Sequence, residues 1–238
     1  MKTFFISGHH PIISAIKNKS RLKKELILSK ENYVLQDLAE KNHIPIKIVD
    51  KKYFSKLFKS SDLNHQNAAL EVSPVQTLNL NENVSKLRDI ILLNNIQDPR
   101  NIGSIIRSAR AFSITNLIVE KKNFDVTSNY IHRASAGCID LVNIYLVVNL
   151  NHAIEILKKN NFWIIAFSNN KKNNLFNFQW PEKSALVFGS EQKGIGHNIF
   201  KKCDFEVEIP ISEKVESLNV SNAVAATLAI YQFKKLIK

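Results

Sequence analysis

Three polar stretches in the second half of the sequence each follow an apolar run of the kind that forms a β-strand. Asn101 and Arg107 follow the first run, and Glu191 follows the second. Ser217 and Asn219 follow the third, and both are residue types that cap helix N termini. A guanidinium such as that of Arg107 either stays in solvent or binds a phosphate, because its planar fork matches phosphate oxygens. Taken singly, these stretches are compatible with ordinary helix caps and a solvated arginine.

Glycine is scarce in this sequence, with six in the chain, so its positions are informative. Gly103, Gly189, Gly194 and Gly196 follow predicted strands, where a backbone without Cβ can approach a ligand closely. In open α/β sheets, ligands bind outside the carboxyl ends of the strands. The sequence contains no G-x-G-x-x-G, and the loop from Gly189 lacks the Lys-Ser/Thr pair of a phosphate-binding loop. A Rossmann dinucleotide site and a P-loop are therefore disfavoured.

The elements that position these stretches alternate between strand and helix from Ile90 onward. Continuous apolar strands alternating with helices are typical of a parallel sheet covered on both faces. Strands are predicted at residues 90–93, 116–119, 143–148, 163–167, 185–189 and 205–209. Helices are predicted at residues 102–112, 127–135, 151–159 and 219–237. Asn101 is a residue type that can cap the first of these helices.

Residues 1–77 are predicted to form a small α/β domain. A strand and a helix around Pro11 precede a strand at 26–28, a helix at 31–42 and a strand at 44–49. A basic cluster without an acidic residue follows the first helix, and it contains Lys17, Lys19, Arg21 and Lys23. The polar segment 78–88 has the composition of a linker, and residues 89–238 then form the second domain.

The charge of the chain favours a polyanionic partner. It carries 33 basic and 21 acidic residues, for a formal net charge of +12. Neutralising phosphates with basic side chains releases counterions, which drives binding to nucleic acids. Compositional drift toward lysine, asparagine and isoleucine is the alternative explanation.

Several classes of protein are disfavoured by the sequence. Cys138 and Cys203 are far apart and form no C-x-x-C pair, which argues against a disulfide scaffold and suits a reducing compartment. No His, Cys and carboxylate cluster occurs at metal-ligand spacing, so no metal is expected. The apolar run at the N terminus is too short for a signal peptide, and no run approaches the length of a membrane span. A soluble cytoplasmic protein is expected.

The three polar stretches together resemble the ordered motifs of the SpoU/TrmH family of RNA ribose 2′-O-methyltransferases. The motifs are Asp98-Pro99-Arg100-Asn101-Ile102-Gly103 with Arg107, Phe188-Gly189-Ser190-Glu191-Gln192-Lys193-Gly194, and Ile209-Pro210 with Ser217-Leu218-Asn219-Val220-Ser221. The loop Arg133-Ala134-Ser135-Ala136-Gly137 also resembles a family loop. The N-terminal part is similar to the RNA-binding domain of many members, on the basis of Ser7-Gly8-His9-His10-Pro11 and His65-Gln66. Asn67, Cys138 and Asn222 depart from the usual pattern, and none of them removes a candidate catalytic group.

The resemblance implies a C-terminal α/β domain with a parallel sheet and a trefoil knot, an exception to the usual unknotted topology. It implies S-adenosylmethionine as cofactor, bound mainly by backbone groups and apolar loop residues. The residues expected to contribute are Gly189, Ile209, Ser217 and Leu218. Members of the family are typically dimeric, so a homodimer formed through the knotted domain is expected.

The resemblance also implies roles for the polar residues. Arg107 matches the arginine to which the family assigns a catalytic role. A guanidinium is a poor general base, because its pKa exceeds about 12. Arg107 is therefore expected to bind an adjacent phosphate and stabilise the developing alkoxide, and direct proton removal by it stays open. Asn101 is expected to orient Arg107 or the ribose, and Glu191 to fix the arginine or the loop. Ser217 and Asn219 are expected to shape the pocket.

The expected substrate is structured RNA, and the two-domain form most resembles members that methylate a guanosine of large-subunit ribosomal RNA. The residues expected to bind this RNA are Lys17, Lys19, Arg21, Lys23, His65 and Gln66. A transfer RNA is the alternative substrate. A non-catalytic RNA-binding knot protein that acts in ribosome assembly is the alternative from another class, although a protein without catalysis need not keep all five polar residues.

Overall fold

The structure is a computed structural model that describes residues 2–58, 65–168 and 173–236. Its strands are β1 Phe4–Ser7, β2 Lys23–Leu28, β3 Ile46–Ile48, β4 Ala68–Val72, β5 Thr77–Leu78, β6 Asp89–Asn94, β7 Asn116–Glu120, β8 Asn143–Val147, β9 Trp163–Phe167, β10 Ser184–Gly189 and β11 Phe205–Val207. Its α-helices are α1 His9–Lys17, α2 Tyr33–Lys41, α3 Tyr53–Leu57, α4 Leu80–Asn83, α5 Pro99–Ala111, α6 Asn129–Ala134, α7 Leu150–Lys159, α8 His197–Phe200 and α9 Val220–Leu236. The helix predicted at 219–237 is α9, and residue 237 lies outside the described residues.

The chain divides into two compact units, of which the first comprises Met1–Gln76 and Asp125–Leu141. Its four-stranded sheet has the order β1-β4-β2-β3, in which β4 runs antiparallel to both neighbours and β2 and β3 are parallel. The carboxyl ends of β1, β2 and β3 therefore share one edge of the sheet with the start of β4. Helices α1 and α2 cover one face, where Ile12, Ile16 and Leu35 are buried against Leu26 and Leu70.

A buried ion pair joins the two chain segments of the first unit. Arg21 Nη1 lies 3.0 Å from both carboxylate oxygens of Asp140, and both side chains are fully buried. The Arg21 Nε–H donates to the Ser73 carbonyl at 2.8 Å, and desolvation lowers the pKa of the guanidinium although Asp140 opposes this shift. Arg21 was predicted to bind RNA, and the structure corrects this, because its charge is already neutralised away from solvent.

The second unit comprises Thr77–Phe124 and Val142–Lys238. Its seven-stranded sheet has the order β11-β9-β10-β6-β7-β8-β5, and every neighbouring pair is parallel. Leu92, Ile118 and Val187 belong to a buried cluster on one face, together with Ile154 and Leu157 of α7. Helix α5 contacts α9, and α9 contacts β10. The predicted parallel sheet is confirmed, and its order places the ends of β6 and β10 next to each other.

The segment 78–88, predicted to be a linker, carries regular structure. Leu78 belongs to β5, which pairs with β8 at the edge of the larger sheet. Helix α4 follows, and Leu80, Val84 and Leu87 are buried in the core of the second unit. These three residues recur at helical spacing, but the asparagines between them give the segment the composition of a loop. Among the described residues, no helix has both the length and the apolar character needed to cross a bilayer.

Candidate active site

The first polar stretch forms the turn and first residues of α5, directly after β6. The Asp98 Oδ1 accepts a hydrogen bond from the Arg100 N–H at 2.8 Å, and Pro99 occupies the first helical position. Asp98 is therefore the cap, and Asn101, which was predicted as a possible cap, lies inside the first turn. Because the Asp98 side chain already accepts from a free N–H group at the start of α5, the Asn101 side chain is available for contacts with other segments.

The second stretch is a tight turn after β10 that only glycine permits at its start. A Cβ on Gly189 would lie 2.1 Å from the carbonyl carbon of Gly194. The Gly194 N–H donates to the Ser190 carbonyl at 2.8 Å, and Gly194 has a φ of +59°. This backbone geometry holds Glu191 at the carboxyl end of the sheet.

The third stretch joins the other two through side chains. Asn219 caps α9, since its Oδ1 accepts from the Ser221 N–H at 2.9 Å. Its Nδ2 donates to the Asn101 Oδ1 at 3.1 Å and to the Glu191 Oε1. The Glu191 Oε1 also accepts from the Asn101 Nδ2 at 3.3 Å and from the Val220 N–H at 3.1 Å. Asn101, Glu191 and Asn219 thus form one cluster, here called the amide–carboxylate cluster.

Arg107 is not part of this cluster. It lies on the exposed face of α5, six residues after Asn101, and no hydrogen bond or ion pair to another described residue is found for it. Its guanidinium is therefore available to a phosphate, which is the state that its expected role requires.

A cavity of about 580 Å³ lies beside the cluster, at the carboxyl ends of β10 and β11. Its lining includes the four residues predicted to bind the cofactor, Gly189, Ile209, Ser217 and Leu218. The aromatic rings of Phe167 and Phe188, which also line it, stack with centroids 4.5 Å apart. The cavity combines apolar walls with backbone from three loops.

A second cavity of about 440 Å³ shares Ser190, Glu191, Lys193 and Val220 with the first. Its remaining lining is mainly polar and comes from the turn before α5, including Gln97, Asp98 and Asn101. Glu191 therefore borders a largely apolar cavity and a polar one. An arrangement of this kind can hold an apolar group next to a hydroxylated group.

Two buried side chains that sequence reasoning did not select hold the loops of the site. The Asn94 Oδ1, on a residue that is 3 % exposed, accepts from the Gly196 N–H at 2.8 Å. The Glu120 Oε2 accepts from the Asn95 N–H at 3.2 Å, where the backbone has a φ of +57°. The sequence did contain a signal for both side chains, because Asn94 and Glu120 are polar residues at the last position of otherwise apolar strands.

The residues predicted to bind RNA lie at two opposite edges of the smaller sheet. Lys17 and Lys19 are exposed at the end of α1, and Lys23 donates from Nζ to the Asn18 carbonyl at 2.8 Å. His65 and Gln66 precede β4 and therefore lie at the edge formed by the carboxyl ends of β1, β2 and β3. The structure does not bring these two groups together.

His65 and Gln66 both have structural contacts. The ring of His65 stacks on Phe54 with centroids 4.4 Å apart, and its Nδ1 accepts from the Asn67 N–H at 3.0 Å. Desolvation lowers the pKa of His65, and the charges of Lys51 and Arg133 lower it further. The Gln66 Oε1 accepts from the His9 N–H at the start of α1, at 2.9 Å. Among the described residues, no group of three or more His, Cys, Asp and Glu is placed to hold a metal ion.

Two family models match the chain. The model described as the SpoU rRNA Methylase family matches residues 88–229, and the one described as RNA 2′-O ribose methyltransferase substrate binding matches residues 5–78. A putative TrmH family tRNA/rRNA methyltransferase of Staphylococcus epidermidis is 32 % identical over 238 residues, which cover 98 % of this chain and 91 % of that protein. A protein of the same description from Staphylococcus saprophyticus is 31 % identical over 247 residues, covering 99 % and 97 %.

Solved structures share the fold. The SpoU methyltransferase AviRb from Streptomyces viridochromogenes, in complex with the cofactor AdoMet, has a TM-score of 0.83 at 19 % identity, covering 99 % of this chain and 92 % of that one. An AdoMet-bound rRNA methyltransferase from Sinorhizobium meliloti has a TM-score of 0.81 at 18 % identity, covering 99 % and 88 %. The trefoil knot expected from the resemblance is consistent with this fold.

Proposed function

The chain belongs to the SpoU rRNA methylase family, and from this premise we propose that it methylates the ribose 2′-hydroxyl of a structured RNA with S-adenosylmethionine as cofactor. The proposed target is a guanosine of large-subunit ribosomal RNA. The observation that carries the proposal is the amide–carboxylate cluster, in which residues from three separate segments meet beside a largely apolar cavity.

The cavity fits the cofactor. Its volume of about 580 Å³ lies within the range of about 300–1,000 Å³ that is usual for small-molecule sites. Ile209 and Leu218 supply an apolar wall for an adenine ring, and the absence of a side chain at Gly189 allows the loops to close on each other. When bound, S-adenosylmethionine supplies an electrophilic methyl group on a sulfonium. The residues of this chain must align the acceptor hydroxyl with that methyl group and assist loss of its proton.

We assign these tasks as follows. Asn101 and Asn219 hold the Glu191 carboxylate, which in turn fixes the turn that separates the two cavities. The ribose occupies the polar cavity lined by Asn101, and Ser217 closes the cofactor cavity. Arg107 binds a phosphate next to the target nucleotide, and its charge stabilises the oxyanion that develops at the 2′-oxygen.

The proposed enzyme is a homodimer formed through the second unit. Phe233 and Leu236, near the C-terminal end of α9, are 60 % and 75 % exposed, so this part of the helix presents two large apolar side chains to solvent. Helix α9 contacts α5, which carries Arg107. A partner docked on α9 would shield this apolar surface.

The test is to incubate the protein with tritium-labelled S-adenosylmethionine and with RNA extracted from cells that lack this protein. Ribosomal and transfer RNA are then separated, and methylated nucleotides are mapped by their resistance to alkaline cleavage, which a 2′-O-methyl group confers. Label in a guanosine of large-subunit ribosomal RNA supports the proposal in full. Label in transfer RNA supports the alternative substrate, and label at a base overturns the ribose assignment.

A non-catalytic assembly protein is the second candidate function. It predicts RNA binding without cofactor binding, so calorimetry with S-adenosylmethionine separates the two. Retention of the complete amide–carboxylate cluster favours the enzyme, since a scaffold has no need of it.

A further inference from the structure

A third cavity, of about 500 Å³, opens at the carboxyl ends of β6, β7 and β8, within the second unit. It shares Gly196 and His197 with the proposed cofactor cavity. None of the residues predicted from the sequence to be catalytic or to bind the cofactor lines it. Its polar lining includes a carboxylate, Glu120, and several asparagine amides, and we call it the Glu120 cavity.

Glu120 is the most informative group in this cavity. Its side chain is 8 % exposed, although carboxylates are rarely buried without strong partners. The Oε2 accepts from the Asn95 N–H at 3.2 Å and from the Asn123 Nδ2 at 3.4 Å. The partner found for Oε1 is Lys122 Nζ at 3.3 Å, on a lysine side chain that is 64 % exposed. A carboxylate offers about four acceptor positions, so Glu120 retains acceptor capacity for a ligand.

A second acceptor lies in the same lining. The Oδ1 of Asn151 is buried and has no hydrogen-bond partner among the described residues. A buried acceptor without a donor is costly, by about 1–3 kcal/mol for a typical polar group. Asn151 therefore brings to this lining an acceptor whose hydrogen-bonding capacity the described residues do not use.

Two exposed side chains of the lining offer a surface to a flat ring. Val148 is 87 % exposed immediately after β8, and His197 is exposed at the start of α8. Both line the cavity. Unpaired RNA bases bind between apolar or aromatic surfaces, and their Watson–Crick edges are read by side-chain hydrogen bonds.

We propose that the Glu120 cavity binds an unpaired guanine of the RNA that the enzyme methylates, which rests on the proposed function. The Watson–Crick edge of guanine presents N1–H and N2–H₂ side by side, a donor pair that a carboxylate accepts at both oxygens or at one. Adenine, cytosine and uracil each lack this adjacent pair of donors. The guanine stacks against Val148, and Lys122 leaves Glu120 to meet a phosphate. The substrate is thereby selected by a base held next to the cofactor cavity.

The test measures binding directly rather than activity. S-adenosylhomocysteine is added to saturation, so that the cofactor cavity is filled and cannot take up a nucleotide. Guanosine, inosine and adenosine 5′-monophosphates are then titrated into the isotope-labelled full chain and followed by NMR. We expect the guanine nucleotide to bind at least about tenfold more tightly than the adenine nucleotide, with inosine between them because it lacks the 2-amino group. Shifts are expected at Val148, Asn151 and Gly196.

Variants and RNA probes complete the test. Glu120→Gln keeps an acceptor for the Asn95 N–H but loses the charge, and Val148→Ala shortens a side chain that is 87 % exposed. Both should weaken binding of the guanine nucleotide by about tenfold, whereas the control Glu182→Gln, an exposed acid in the same unit, should not. The pentaribonucleotide AAGAA should bind more tightly than both AAAAA and free guanosine monophosphate.

Equal binding of guanine and adenine nucleotides would overturn the proposal, as would unchanged binding by Glu120→Gln. Tighter binding of the free nucleotide than of AAGAA would show a nucleotide site rather than an RNA site. Failure of the proposed function is seen separately, as absence of methyl transfer by the unmodified protein to any RNA fraction.

Discussion

At the scale of single residues, three side chains connect segments that are far apart in the chain. The Nδ2 of Asn219 has two hydrogens, and Asn101 and Glu191 accept one each. Residue types identified the members of this cluster, because the strand-end positions could be read from the sequence. The hydrogen bonds between these residues could not be read from the sequence, because they depend on Asp98, and not Asn101, being the residue that caps α5.

Arg107→Ala should lower kcat for methyl transfer by at least about 100-fold, the usual cost of losing a group that stabilises an oxyanion. Affinity for S-adenosylhomocysteine, measured by calorimetry, should change little, because Arg107 does not line the cofactor cavity. Arg110→Ala is the matched control, as an exposed arginine on the same helix. Full activity of Arg107→Ala would remove the central catalytic assignment.

Asn101→Asp should also reduce activity strongly near pH 7. The substitution replaces an N–H donor 3.3 Å from the Glu191 Oε1 with a second carboxylate, and two such groups cannot both ionise readily. Lowering the pH should partly restore activity as the pair takes up a proton, whereas Asn101→Ala should show no such recovery. Parallel pH profiles for the two variants would contradict this reading of the cluster.

At the scale of elements, the segment between β7 and β8 was predicted correctly as a helix near 127–135, yet its place in the molecule was not predicted. Its neighbours are the strands of the first unit, 50 or more residues earlier in the sequence. Six of the seven strands of the second unit were predicted closely because their apolar runs are continuous, whereas β5 was not predicted. Arg21 could not be predicted in the same way. The sequence places it in a basic cluster without an acidic residue, and only the fold brings Asp140 beside it and buries both side chains.

Asp140→Leu should destabilise the protein by about 3–5 kcal/mol, because it leaves the Arg21 guanidinium buried without its counter-charge. The double variant Arg21→Met with Asp140→Leu should recover most of the loss, since neither charge then needs solvation. Urea unfolding followed by circular dichroism measures both. Asp37→Asn is the control, because it removes an exposed pair with Lys41 and should cost no more than about 1 kcal/mol.

His132, on α6 next to this pair, should make stability depend on pH. Burial lowers its pKa to about 4, and the charge of Arg21 adds to this effect. An unfolded histidine has a pKa near about 6.5, so the unfolded chain binds more protons between these values. Stability should therefore fall as the pH drops from about 6.5 toward about 4, by up to about 3 kcal/mol.

His132→Gln is the variant that tests this dependence. Glutamine keeps an N–H that can donate to the Val126 carbonyl, which His132 Nε2 faces at 3.1 Å, but it does not titrate. Urea unfolding at several pH values should show a flatter profile for the variant. Equal slopes would show that other groups dominate the acid sensitivity.

At the scale of the whole molecule, the net charge of +12 is consistent with an RNA partner, but the residues predicted to bind that RNA are not gathered in one place. Lys17 and Lys19 lie at one edge of the smaller sheet, and His65 and Gln66 lie at the other. Only one of these edges needs to face the substrate. The two groups were predicted to form one RNA-binding surface because both belong to the same domain.

Replacing Lys17 and Lys19 with alanine distinguishes the two edges. If both lysines contact phosphates, the slope of log K against log salt for RNA binding should become shallower by about 2. The control replaces Lys86 and Lys159, two exposed lysines of the second unit, and should change the slope less. An unchanged slope would show that Lys17 and Lys19 form a solvated surface and make no phosphate contacts.

The buried pair of Arg21 and Asp140 also has a consequence for synthesis on the ribosome. The early strands and helices emerge first, but the partner of their buried arginine is made 119 residues later. Until that aspartate leaves the exit tunnel, the nascent N-terminal segment carries an uncompensated charge in its interior and should remain open to proteases. A fragment that ends between the two family matches, after residue 78, would also lack Asp140 and leave Arg21 without its partner. Exchange of the first unit between relatives should therefore require residues 1–76 and 125–141 to be exchanged together.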